Sequence, residues 1–195
     1  MPRIIFVSGA CGCGKTTFAD AYARHLAQES GRTVYVIHGD DFRAGFVEPE
    51  TPGGRFRDGH PADTVRWENV LRFNWDCILA TAGRALREGL DTVIDYVIED
   101  ELPRVEALAE EHGADLYYFV LTAEAGEIER RIRQRGDTDL ISRALFLKEK
   151  LEAMPENRGR LIDNTALTPA ETIAGLRLER YLLRRGGAPV PPPAR

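Results

Sequence analysis

Gly9, Ala10, Cys11, Gly12, Cys13, Gly14, Lys15, Thr16 and Thr17 form one uninterrupted run of the pattern G-x-x-x-x-G-K-[ST]. Its residue types suit one task, the holding of phosphate. The three glycines allow turns that a Cβ would oppose, so successive N–H groups can face phosphate oxygens. Lys15 can reach β- and γ-phosphates as a compact charge, and the Thr16 hydroxyl can ligate Mg²⁺. Composition agrees. Of 26 basic residues only 15, 148 and 150 are lysine, so an arginine-rich chain still places Lys where phosphate binding favours it. Cys11 and Cys13 have no second ligand pair after them and read as small loop fillers.

A second group of chemical residues is His38-Gly39-Asp40-Asp41-Phe42-Arg43. A hydroxyl nucleophile needs a proton acceptor, and Asp40 is the first choice for it, Asp41 the second. Arg43 suits an anionic group of the acceptor. Asp95 ends an apolar run and suits Mg²⁺ or the acceptor. Arg130, Arg131, Arg133 and Arg135 follow the fourth apolar run. Arg131 and Arg135 share one helix face at i, i+4 and form the expected lid pair; guanidinium forks match the charge that phosphoryl transfer spreads over oxygens.

These groups must be positioned by the elements around them. Apolar runs at residues 4–7, 33–37, 92–94, 116–121 and 160–162 predict five strands. Helical spacing predicts helices over 15–28, 62–87, 103–113, 123–135, 140–154 and 168–185. Alternation of this kind implies a three-layer α/β/α domain with a parallel sheet and its ligands at the carboxyl ends of the strands. One domain over 1–185 is expected, with a helical lid near 131–143 and a Pro-rich tail over 186–195. Residues 48–61 read as a long binding loop; the acceptor region spans about 42–75, with Arg55, Arg57, Arg66 and Arg72 as anion ligands. His60, Trp67, Glu50 and Glu68 are further candidates to line it.

The chain has 195 residues, 43% hydrophobic and 29% charged, with a net charge of −5. That balance disfavours a nucleic-acid coat. No membrane span, signal peptide or disulfide framework is apparent, so a cytoplasmic monomer or homodimer is expected.

The chain resembles the small P-loop kinase group that includes adenylylsulfate, gluconate and shikimate kinases and chloramphenicol phosphotransferase. The matching residues are the run from Gly9 to Thr16, then Gly39-Asp40-Asp41-Phe42-Arg43, then Arg131 with Arg135. Gly39-Asp40 with Arg43 is similar to the G-D-x-x-R run of adenylylsulfate kinases, although His38-Gly39 stands where those enzymes carry Asp-Gly. The resemblance implies a P-loop NTPase fold with five parallel strands ordered 2-3-1-4-5, ATP with Mg²⁺, and a small-molecule acceptor. It also implies that Asp163-Asn164-Thr165 borders the adenine, which adds Asn164 to the nucleotide-binding residues. A nucleoside or nucleotide kinase, a nucleotide-controlled switch, and a nucleic-acid end kinase or related RNA-binding protein are the other classes compatible with the motif.

Overall fold

The computed structural model describes residues 1–47 and 65–191. Glu50, Arg55, Arg57 and His60 lie outside the described residues, as does the chain beyond 191.

The elements run β1 (Arg3–Gly9), α1 (Lys15–Ser30), β2 (Val34–His38), α2 (Gly39–Arg43), α3 (Trp67–Arg87), β3 (Asp91–Asp95), α4 (Leu102–His112), β4 (Asp115–Thr122), α5 (Ala125–Arg135), α6 (Ile141–Ala153), β5 (Leu161–Asp163), α7 (Pro169–Ala174), β6 (Leu182–Arg185) and β7 (Ala188–Pro189). Helix α3 is continuous. Short 3-10 turns at Thr138–Leu140 and Pro155–Asn157 flank α6.

Strand β1 is central and buried from Ile4 to Gly9, because it is covered on both faces. It pairs in parallel with β3 on one side and β4 on the other, and β2 adds to β3. Phe18 of α1 and Tyr181 pack edge-on against Phe119 on one face, with ring centroids 6.1 and 4.9 Å apart. Trp75 of α3 stacks on Phe6 at 5.9 Å on the other face. Among the described residues no helix is long and apolar enough to cross a membrane.

The parallel order β2-β3-β1-β4 is as expected, but among the described residues the sheet has seven strands rather than five. Strand β5 is only three residues long and pairs with Val120–Thr122, the carboxyl half of β4. That leaves the amino half of the same edge open. Strand β6 takes it in antiparallel fashion, with Tyr117 opposite Leu182 and Leu116 opposite Arg184, and β7 folds back on β6. The helix expected over 168–185 therefore stops early. Its start is as expected, with Thr168 and Glu171 forming a reciprocal capping box, but α7 ends at Ala174. An open sheet edge offers the following residues more backbone pairing than further helix would. Residues 186–191, expected as tail, carry this last hairpin.

Truncation after Tyr181 tests that correction. It should lower the unfolding free energy by more than the roughly 1.5–3 kcal/mol that burial of one leucine supplies, because Leu182 is 4% exposed and the edge of β4 is lost too. An unchanged urea midpoint would mean that the hairpin contributes nothing.

Candidate active site

The loop between β1 and α1 reaches the carboxyl edge of the sheet. Gly14, left-handed at φ 82°, is the N-cap of α1, and no side chain caps it. The first-turn amides of Lys15, Thr16 and Thr17 thus have no intrahelical acceptor, the arrangement that favours an anion. Lys15 Nζ donates to the Ala10 carbonyl at 3.1 Å, which folds the lysine back over its own loop. Cys13 is buried in the core, where burial pushes its thiol pKa up, and Cys11 faces the crevice. Among the described residues no cluster of His, Cys, Asp and Glu is arranged to hold a metal.

Thr16 donates from its hydroxyl to Asp95 Oδ2 at 2.7 Å. Asp95 is 5% exposed, and its other oxygen meets His38 Nδ1. The far ring nitrogen of His38 lies 3.4 Å from Asp20. Burial alone would lower the pKa of this ring. The hydrogen bond to Asp95 and the charges of Asp95, Asp20 and Asp41 outweigh burial, so the pKa is raised. Nothing in the local sequence around His38 signals this role; only the parallel register that sets His38 beside Asp95 creates it.

Helix α2 follows at once and carries Asp40 and Arg43, joined at 3.0 Å. The Arg43 guanidinium also lies 6.0 Å from the Trp67 ring centre. A cavity of about 490 Å³ lies between the loop and α2. Lys15, Thr16, Thr17, Asp40 and Arg43 line it, and Asp41 does not. Trp67, Leu71, Trp75, Tyr96 and Val97 form its apolar wall; Arg135, Asp137, Asp139 and Arg143 reach it from the end of α5, the turn after it and the start of α6.

The expected lid pair is divided. Arg135 lines the cavity and lies 3.6 Å from Asp137. Arg131 points elsewhere: it donates to Glu127 at 2.7 Å, to Asn164 Oδ1 at 3.2 Å and to the Asn164 carbonyl at 3.1 Å. Asn164 in turn donates to the Cys13 carbonyl at 2.8 Å, so the two residues brace the loop beside Gly14. Arg66 is exposed just ahead of α3, and Arg72 bonds Asn69 at 2.9 Å; neither lines the cavity.

Asn74 is a positioning residue that sequence reasoning misses. It is fully buried on α3 and donates to the Gly39 carbonyl at 3.3 Å and to the Tyr96 hydroxyl at 3.2 Å. Gly39 needs to be glycine for space, not for dihedral reasons. A Cβ there would lie 2.5 Å from the Tyr96 ring and 2.8 Å from Ile78.

Two outcomes follow. Gly39→Ala should push α2 away from the crevice and lower kcat while nucleotide affinity, measured by calorimetry, stays within about threefold, since no group of the phosphate loop has moved. Equal loss of both would place the effect in the fold. For His38, a raised folded pKa means that the charged ring stabilises fully below its ordinary value, and that this contribution is lost as pH rises through the raised value. The Tm difference between the parent and His38→Gln should therefore be largest near pH 6 and shrink towards pH 9; a pH-independent difference would contradict it.

Solved structures share this fold at low identity. A sugar kinase from Janibacter sp. HTCC2649 is 21% identical, with a TM-score of 0.58, covering 89% of this chain and 91% of that one. The tunicamycin resistance protein of Deinococcus radiodurans is 20% identical, with a TM-score of 0.56 over 91% and 98%. A gluconokinase from Sinorhizobium meliloti 1021 is 20% identical, with a TM-score of 0.52 over 89% and 88%. No curated protein matches the chain. The profile of one family, described as AAA domain, matches residues 4–161, which include the phosphate loop, Asp95 and the bracing Arg131. The chain belongs to that AAA domain family, with the P-loop α/β fold of the small kinases.

Proposed function

We propose that this chain transfers the γ-phosphoryl group of ATP to a hydroxyl of a small-molecule acceptor. The observation that carries the reading is that Asp40 lines the same cavity as Lys15 and Thr16, with an apolar aromatic wall beside it. The donor's phosphates would lie on the open amides of α1 with Lys15 across them. The acceptor would lie against Trp67, Leu71, Trp75 and Tyr96, with its hydroxyl towards Asp40.

In this reading Asp40 accepts the hydroxyl proton as the acceptor oxygen bonds to the γ-phosphorus. The bond from that phosphorus to the β,γ-bridging oxygen breaks, and the charge left on ADP falls to Lys15 and the α1 amides. Arg43 orients the Asp40 carboxylate through their ion pair. Arg135 faces the transferred group from the lid side, where closure would exclude water. Arg131 supports the step indirectly, by holding Asn164 against the loop.

Hard oxygen donors suit magnesium, and the hydroxyl of Thr16 with the carboxylate of Asp95 are the residues that would hold it. Bound with the nucleotide, magnesium would supply charge neutralisation on the phosphates. The likeness to a sugar kinase and a gluconokinase supports the donor half of the reading and leaves the acceptor to experiment.

The test joins an ATP-consumption screen over pooled hydroxyl compounds with two isosteric variants. Asp40→Asn should keep ATP affinity and lower acceptor phosphorylation by roughly two to four powers of ten. Asp41→Asn should be mild, since that residue is outside the cavity. A large fall for Asp41 alone would reverse the assignment. Basal hydrolysis with no acceptor-dependent turnover would favour a nucleotide-controlled switch.

A further inference from the structure

A second cavity, of about 300 Å³, shares no lining residue with the first. Arg158, Arg160 and Arg180 line it, together with Glu106 and Glu156. Arg158 and Arg180 are exposed, but Arg160 is only 9% exposed. Its Nη1 atom is buried and has no hydrogen-bond partner among the described residues.

The position of this arginine is built in. The fully buried Asn157 accepts from the Tyr118 hydroxyl at 2.9 Å and donates to the Leu151 carbonyl at 2.8 Å. The N–H of Arg160 donates to the Asn157 carbonyl at 2.9 Å, and the Arg160 carbonyl accepts from Val120 at 3.1 Å. The backbone of Arg160 is thus clamped between a buried turn and β4.

A buried cation is costly unless an anion meets it. Among the described residues no acid ion-pairs with Arg160. Glu106, the half-buried acid of the cavity, is engaged with Arg184 at 3.5 Å, and Glu156 is exposed. Burial pushes the Arg160 pKa down, and the charges of Tyr118 and Glu106 offset only part of that. Three arginines against two glutamates leave the lining of this cavity with a net positive charge, and a phosphate group can accept from more than one guanidinium.

We infer that this cavity is a second anion site, taking a phosphate group either as the free ion or at the end of a small phosphorylated molecule. It is separate from the phosphate loop and does not depend on the proposed transfer reaction.

The experiment is calorimetric titration of the full chain, first saturated with ADP and magnesium so that the phosphate loop is occupied. Inorganic phosphate and glycerol phosphate are the two probes. Saturable binding of either supports the site; tighter binding of the ester points to a phosphorylated molecule, and tighter binding of phosphate to the free ion. Arg160→Gln should weaken it roughly tenfold or more, the worth of one charge-assisted pair. It should also remove the rise in Tm that phosphate gives the parent protein. The double variant Arg158→Ala/Arg180→Ala changes only exposed residues and should weaken binding likewise, which keeps the test valid if Arg160→Gln fails to fold. No binding of either probe, or binding unchanged in the variants, would overturn the inference.

Discussion

Asp95 is the point on which the crevice depends. Its carboxylate ends a wholly buried strand and is met by Thr16 from the start of α1 and by His38 from the end of β2. A nearly buried charge must find such partners, because a carboxylate left without them inside a protein is costly. Each partner comes from a different connection at the same edge of the sheet. Satisfying one acid therefore draws together the helix that presents the open amides and the strand that delivers Asp40.

The phosphate loop is braced a second time by a chain of side chains from α5 and the end of β5. Asn164 holds the Cys13 carbonyl, Arg131 holds Asn164, and Glu127 holds Arg131. Hydrogen bonds from Arg130 and Arg131 bring the Glu127 carboxyl down to about 2, so this relay stays ionised across ordinary pH. The loop presents its donors outward while its carbonyl side is tied inward. Preorganisation of this kind removes the need to order the loop when an anion arrives.

The walls around that loop differ in character. The side opposite the phosphate amides is aromatic, with Trp75 edge-on to Tyr96 at 5.3 Å. The side formed by α6 is charged on both signs: Glu99 pairs with Arg143 and Lys150, each at 2.7 Å. Exposed pairs like these contribute little stability and exchange partners readily. The part-buried pair of Arg3 and Asp91 at the far end of the sheet, at 2.8 Å, is held more firmly, because Asp91 has no exposure to water.

Local chemistry was legible in the sequence. The phosphate loop could be read because its donors come from consecutive residues, and the strand–helix alternation because periodicity is a property of neighbours. The Thr168–Glu171 box is equally local, and its helix begins where expected. What the sequence could not determine depends on residues far apart in the chain. Whether 182–185 is helix or strand turned on a free edge of β4, built about sixty-five residues earlier. The separation of Arg131 from Arg135 turned on Asn164, and the importance of His38 on Asp95. The chain's own order of residue types determined that it holds a phosphate loop on an α/β sheet; only the tertiary structure decided which charges meet, because a charge is paired by distance in space and not by spacing along the chain.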